Sequence, residues 1–187
     1  IDADKSSVGK YIVTADLGGG TYNEVTLAND QTVEFRINQT LVDIDVAGGA
    51  SDNVTVIAGD VNGASSAVGT LDLGTSLTTS EASANSATSG DTTSGTVTIT
   101  ANDSNVTVDT LAAWSQTVVI SGDENVSITT GAQAQAIDAS ALTGVATITV
   151  IDTVTNTADT GSLTTGSGND DITANLGNGV ITVSTGG

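Results

Sequence analysis

The chain has 187 residues, with 22 acidic side chains against Lys5, Lys10 and Arg36, a formal charge of -19, and it contains no Cys, His, Met or Pro. Those absences exclude a zinc site of the ordinary kind, a disulfide framework and a Ser-His or Cys-His nucleophile pair. Three cations cannot neutralise a phosphate track or hold an anionic bilayer surface, and no apolar run is long enough to span a membrane, so neither nucleic acid nor membrane insertion is expected.

Hydrophobic residues make up 37% of the chain, many of them Val and Ile interleaved with Thr, which points to a folded β protein rather than to disorder. Self-repulsion among the acids opposes compaction, and divalent cations relieve it.

In chain order, residues 1–75 read as a β-rich N-terminal part. Tyr11-Ile12-Val13-Thr14 is a short strand and Leu17-Gly18-Gly19-Gly20 a turn. Glu24-Val25-Thr26-Leu27 leads to the turn signal Asn29-Asp30, and Thr32 to Ile37 alternates as a half-buried strand does. Asn29-Asp30 is short enough to join antiparallel neighbours, so a meander or sandwich is expected here. In Leu41 to Val46, Asp43 and Asp45 share the face opposite Val42, Ile44 and Val46. Paired carboxylates also serve glycosidases, but with so few aromatics there is no sugar platform, and a solvated strand face is the expectation. Gly48 to Val56 has the order Gly-Gly, acid, strand.

Residues 76–96 are small and polar with almost no apolar anchor, which reads either as a linker between two parts or as a long surface loop inside one. Beyond them, Thr98 to Val108 aligns twenty residues on with Val118 to Ile128, each unit being strand, acidic turn, strand. A constant step with β-branched strands predicts a stacked parallel β-solenoid over 97–187, with two antiparallel hairpins in a sandwich as the alternative. Asp103 and Asp123 read as turn residues, and Trp114 as a core or cap residue between the units. Ala132 to Ala136 alone leans helical, Ala146 to Asp152 is a further strand, and Leu176 to Val183 is a glycine turn followed by a strand. Asn38, Asn53, Asn102, Asn105 and Asn125 head formal N-glycosylation triplets, expected by chance at this composition.

The stretch Thr165-Gly166-Ser167-Gly168-Asn169-Asp170-Asp171-Ile172-Thr173 fits the nonapeptide G-G-x-G-x-D-x-U-x at every fixed position but the first. That pattern is a calcium-binding turn of a parallel β-roll: glycines allow the tight bend, the aspartate gives a hard oxygen ligand, and the aliphatic starts a strand. The expected metal site is Asp170 as carboxylate ligand and Gly166 and Gly168 as carbonyl ligands. Asn169 shapes the turn, Asp171 adds charge or a water-mediated contact, and Ile172 is buried. A glycine-rich hairpin turn without metal is the alternative. The chain begins at Ile1 rather than Met and ends in Gly186-Gly187, which reads as the opening of another nonapeptide and so as a segment of a longer protein.

Val118 to Asp123, Ile137 to Gly144, Thr147 to Val150 and Thr165 to Thr173, in that order, resemble the RTX-type surface-layer proteins of Gram-negative bacteria and related secreted adhesins. The resemblance covers roughly residues 97–187. It implies export by type I secretion, folding outside the cell on Ca2+, and a structural, non-enzymatic role at the bacterial cell surface. The implied partners are copies of the same chain in a two-dimensional lattice and, through another region, cell-surface polysaccharide. A spacer or ligand-binding domain of an adhesin is the second expectation. A portion of a secreted enzyme is the third; it predicts H-E-x-x-H or G-x-S-x-G, and neither occurs.

Overall fold

A computed structural model describes residues 1, 3, 6–15, 17, 23–37, 42–46, 53–59, 70–73, 96–102, 104–111, 117–130, 136–152, 160–176 and 180–186. Among them are fifteen strands and no helix. They are β1 (Lys10–Val13), β2 (Asn23–Leu27), β3 (Gln31–Phe35), β4 (Val42–Val46), β5 (Val54–Ala58), β6 (Thr70–Leu73), β7 (Thr96–Ala101) and β8 (Asn105–Leu111), followed by β9 (Thr117–Gly122), β10 (Val126–Thr130), β11 (Ala136–Leu142), β12 (Ala146–Asp152), β13 (Thr160–Thr164), β14 (Asp171–Leu176) and β15 (Val180–Ser184).

The odd strands form one sheet in the order β1-β3-β5-β7-β9-β11-β13-β15, and the even strands a second in the order β14-β12-β10-β8-β6-β4-β2. Every described pairing is parallel. Successive strands thus alternate between sheets, and each turn of the chain lays one strand on each. This is the all-β, stacked parallel β-solenoid expected of the C-terminal part, and it excludes the antiparallel-hairpin alternative.

The same winding runs through the N-terminal part, where a meander or sandwich was expected. Asn29-Asp30 does lie in a turn, with the Gln31 amide donating to the Ala28 carbonyl, and Asp30 takes a left-handed φ of 61°. It joins strands of different sheets, however, and is a corner rather than a hairpin. β2 pairs with β4 and β3 with β1 and β5. The corner bonds forward to the next corner, Asp30 N to Asn53 O at 2.7 Å, so a short turn has no need to fold its strands onto each other. β5 pairs with β7 from Val54↔Val97 to Ala58↔Ala101 and β6 with β8, so both sheets continue across residues 76–96. Those loop residues, except Thr96, lie outside the described residues, as do Ser51 and Asp52, Asp103, Trp114 and the 131–135 stretch. So do the side chains of Asp43 and Asp45.

The twenty-residue step holds in the even sheet, where Val106 aligns with Val126 and Val126 with Ala146. In the odd sheet Val97 aligns with Val118, one residue further on. The extra residue is absorbed in the 102–104 corner.

Period-two alternation is visible where one face is interior: β7 buries Val97, Ile99 and Ala101, and β5 buries Val54, Val56 and Ala58. Parallel register stacks these into columns along the solenoid. One runs Gln31, Val54, Val97, Val118, Ile137, Leu163, Val183; another runs Ile128, Ile148, Ile172. Like sits on like, so small aliphatics pack without large side chains.

The first coil is held by two polar devices. Gln31, 5% exposed, places Nε2 within 3.0–3.2 Å of the carbonyls of Ala3, Ser6 and Val8, while its Oε1 accepts from Ala28 N at 2.8 Å. On the outer face of β3, Glu34 is fully buried beneath the side chains of Lys10 and Arg36, both of which ion-pair with it. Two of the three cations in the chain are therefore committed to one carboxylate. Burial is the largest single influence on Glu34 and pushes its pKa up. The hydrogen bonds and charges of Lys10 and Arg36 together outweigh it and hold the carboxyl below its ordinary value. A depressed folded pKa contributes stability above the unfolded value, and that contribution is lost as pH falls through the folded one. Asp138, hydrogen-bonded by the Ser140 side chain and amide, is shifted the same way. Urea unfolding midpoints measured in steps below about pH 5 should therefore fall more steeply for the native chain than for Glu34→Gln; parallel acid limbs would show that the ion triad adds nothing.

Candidate metal centre

The expected metal site lies at the corner that follows β13 and precedes β14. Corners on this side of the solenoid, those that follow β7, β9, β11, β13 and β15, stack over one another in chain order. For coils to stay at strand spacing, about 4.8 Å, the bends must approach as closely as the strands. Glycine makes that possible. A Cβ on Gly122 would lie 2.1 Å from the Ala101 carbonyl oxygen, one on Gly144 2.2 Å from that of Glu124, and one on Gly166 1.8 Å from that of Leu142. One on Gly168 would lie 2.3 Å from the Gly144 oxygen, and one on Gly186 2.2 Å from the Gly166 oxygen. Gly122 also takes a φ of 118°. The glycines of the nonapeptide thus extend two stacks that begin before it, Gly166 above Gly122 and Leu142, and Gly168 above Glu124 and Gly144.

A second column, of side-chain amides, locks the corners. Asn125 N donates to Asn105 Oδ1 at 3.1 Å, and Val145 N to Asn125 Oδ1 at 3.0 Å. On the other side of the solenoid, Asn53 N donates to Asn29 Oδ1 at 2.8 Å and Thr96 N to Asn53 Oδ1 at 2.9 Å. Asp170 ends the first series in reverse: its Oδ1 accepts the Ala146 amide, 2.9 Å away in the preceding coil. The expected carboxylate ligand therefore already spends one oxygen on holding two coils together.

The five expected site residues share this one corner. Gly166 is buried, Gly168 and Asp170 are half-buried, and Asn169 and Asp171 are exposed. Asp171 begins β14 opposite Thr147, and Ile172 stacks half-buried on Ile148. The corner also holds Thr165, 1% exposed, whose hydroxyl oxygen has no hydrogen-bond partner among the described residues. The donors are all oxygens, a hard set suited to Ca2+. They are few: among the described residues no three acidic side chains gather into a group that could hold a metal. Asp123 and Glu124 lie two corners away, with the Thr143-Gly144-Val145 corner between. As a metal centre the corner supplies one carboxylate and backbone oxygens from a single bend.

Sequence reading missed the amide ladder, although its signal was present. Asn53-Val54, Asn105-Val106 and Asn125-Val126 repeat one pair, a corner amide followed by a buried Val, inside triplets read only as chance glycosylation acceptors.

Replacing Asn125 by Ala strands the Val145 amide and should lower the unfolding free energy by about 1–2 kcal/mol, whereas Asn125→Asp keeps an acceptor and should cost less. Gly144→Ala should cost about 1–3 kcal/mol from forced backbone displacement. Chemical denaturation of the three variants checks both, and an unchanged Gly144→Ala would show that the corners do not need their close approach. No known protein family, curated protein or solved structure matches this chain.

Proposed function

We propose that this solenoid is a structural segment of an extracellular bacterial surface layer, stabilised by Ca2+ held at the 165–170 corner. The observation that supports this most is the position of the nonapeptide. Its glycines and Asp170 fall at a solenoid corner, at the start of a strand, where a β-roll would hold an ion between coils. Asp170 and the carbonyls of Gly166 and Gly168 would provide the first half of such a site, with Asn169 shaping the turn and Asp171 adding charge beside it. The net charge of -19 supports the same reading, since a chain this acidic gains most from a divalent counterion. Catalysis is not part of the proposal, because the chain contains no His or Cys to serve a nucleophile. In a lattice of copies, Ca2+ would also bridge acidic faces that otherwise repel. The uninterrupted coil-on-coil stack equally suits a spacer in a secreted RTX adhesin, which would appear as isolated fibres rather than as a two-dimensional array.

Calcium should raise the melting temperature, by an amount equivalent to about 2.7 kcal/mol when its concentration is a hundredfold above the dissociation constant. Asp170→Asn separates the two duties of this side chain: it keeps an acceptor for the Ala146 amide but removes the charge. The variant should fold normally and lose the calcium response. Circular dichroism and melting curves that ignore calcium in the native chain would overturn the metal reading, and a native surface lattice that survived chelation would overturn the lattice reading.

A further inference from the structure

One interior place in the stack is polar where its neighbours are not. Val33, Val56, Ile99 and Ile120 form an aligned column of fully buried aliphatics inside the odd sheet. Val119 pairs with Asp138, and Asp138 with Thr164. The residues that follow these three are Ile120, Ala139 and Thr165, all buried, so Thr165 takes the interior place in its coil. Thr165 is 1% exposed, and its hydroxyl has no hydrogen-bond partner among the described residues. Its backbone is committed to the following coil: Thr165 N donates to Ser184 O at 3.0 Å, and its carbonyl accepts from Gly186 N at 3.2 Å. An unpaired buried hydroxyl destabilises a fold, and Val would fill nearly the same volume without it.

Gly166, the next residue, is in the same condition. It is buried, and neither its amide nor its carbonyl makes a hydrogen bond among the described residues. Its carbonyl oxygen faces the following coil, 2.2 Å from where a Cβ on Gly186 would sit. Asp170 gives Oδ1 to the Ala146 amide of the preceding coil and has Oδ2 left. Orphaned oxygens therefore gather at one bend, enclosed between two coils. Ca2+ takes about six to eight oxygen ligands. With one carboxylate oxygen already engaged, neutral oxygens must make up most of the set.

We infer that the Thr165 hydroxyl is a calcium ligand. Thr at the first position of the nonapeptide, where the pattern has Gly, adds a side-chain oxygen to the backbone oxygens of the bend, and the ion satisfies it. This rests on the calcium reading above and adds to it a residue that the motif does not supply.

Thr165→Val removes the hydroxyl and keeps the volume, whereas Thr165→Ser keeps the hydroxyl. Thermal unfolding followed by circular dichroism, in chelator and in excess calcium, is measured together with calorimetric titration of calcium. In chelator Thr165→Val should melt above the native chain, because an unpaired buried hydroxyl has gone. In calcium the order should reverse, and the affinity of Thr165→Val for calcium should fall about tenfold or more, while Thr165→Ser binds close to the native chain. Thr165→Val melting on the same side of the native chain in both buffers, or binding calcium as tightly, overturns the assignment and leaves an ion held by Asp170 and carbonyls alone. Thr165→Ser losing as much affinity as Thr165→Val also overturns it, since the methyl and not the hydroxyl is then what counts. A native chain that neither binds calcium nor melts higher in it sinks the calcium reading itself, and this assignment with it.

Discussion

Close approach between successive corners is the constraint on which this structure depends. Parallel strands pair at one spacing, and a coil that winds between two sheets can keep that spacing only if its bends are no thicker than its strands. The corner glycines meet this by bringing Cα within reach of the preceding coil's carbonyl, where any Cβ would collide. Asn side chains add a second link between corners, accepting an amide of the next bend as in the Asn105-Asn125 series, and Asp170 adds another by bonding back to Ala146.

The corner bonds matter because the core is poor in large side chains. Its columns are built mainly from Val, Ile, Leu and Ala, with Phe35 the one buried aromatic among the described residues. Apolar burial contributes about 25 cal/mol per Å2, and short side chains bury little each, so ladder and corner hydrogen bonds carry an unusual share of the stability. Self-repulsion acts against this. The first coil answers it locally, by sinking Glu34 beneath Lys10 and Arg36. With no further cation after Arg36, later coils have no such device, and that imbalance is what the proposed divalent ion would relieve.

Coil locking and the proposed ion binding make different demands on the 165–170 corner. Coil locking needs an acceptor on residue 170 and would be served by Asn as well as by Asp. Ion binding needs the charge. Asp at this place, where Asn105 and Asn125 serve two earlier corners and Val145 stands in the one before, is not required by coil locking alone, and it coincides with the glycine spacing of the nonapeptide.

Much of the fold was legible in the sequence. Alternation in Val97 to Ala101, the twenty-residue echo of Val106 in Val126, and the glycine bend at 166–168 pointed to strands and bends in this order, with parallel coils favoured over antiparallel hairpins, because side-chain period and turn chemistry are local properties. The expected site residues were likewise contiguous in sequence and therefore contiguous in space. What only the tertiary structure decided was long-range. Asn29-Asp30 has the same local turn in a hairpin and in a corner, and the difference lies in where Asn53 sits 24 residues later. The burial of Glu34 follows from Lys10 in a neighbouring coil, and the occupation of Asp170 Oδ1 follows from Ala146 in another. Sequence reports the alternation and bends of each strand; which amide or cation waits in the adjacent coil is set by register, and register is summed over the whole stack.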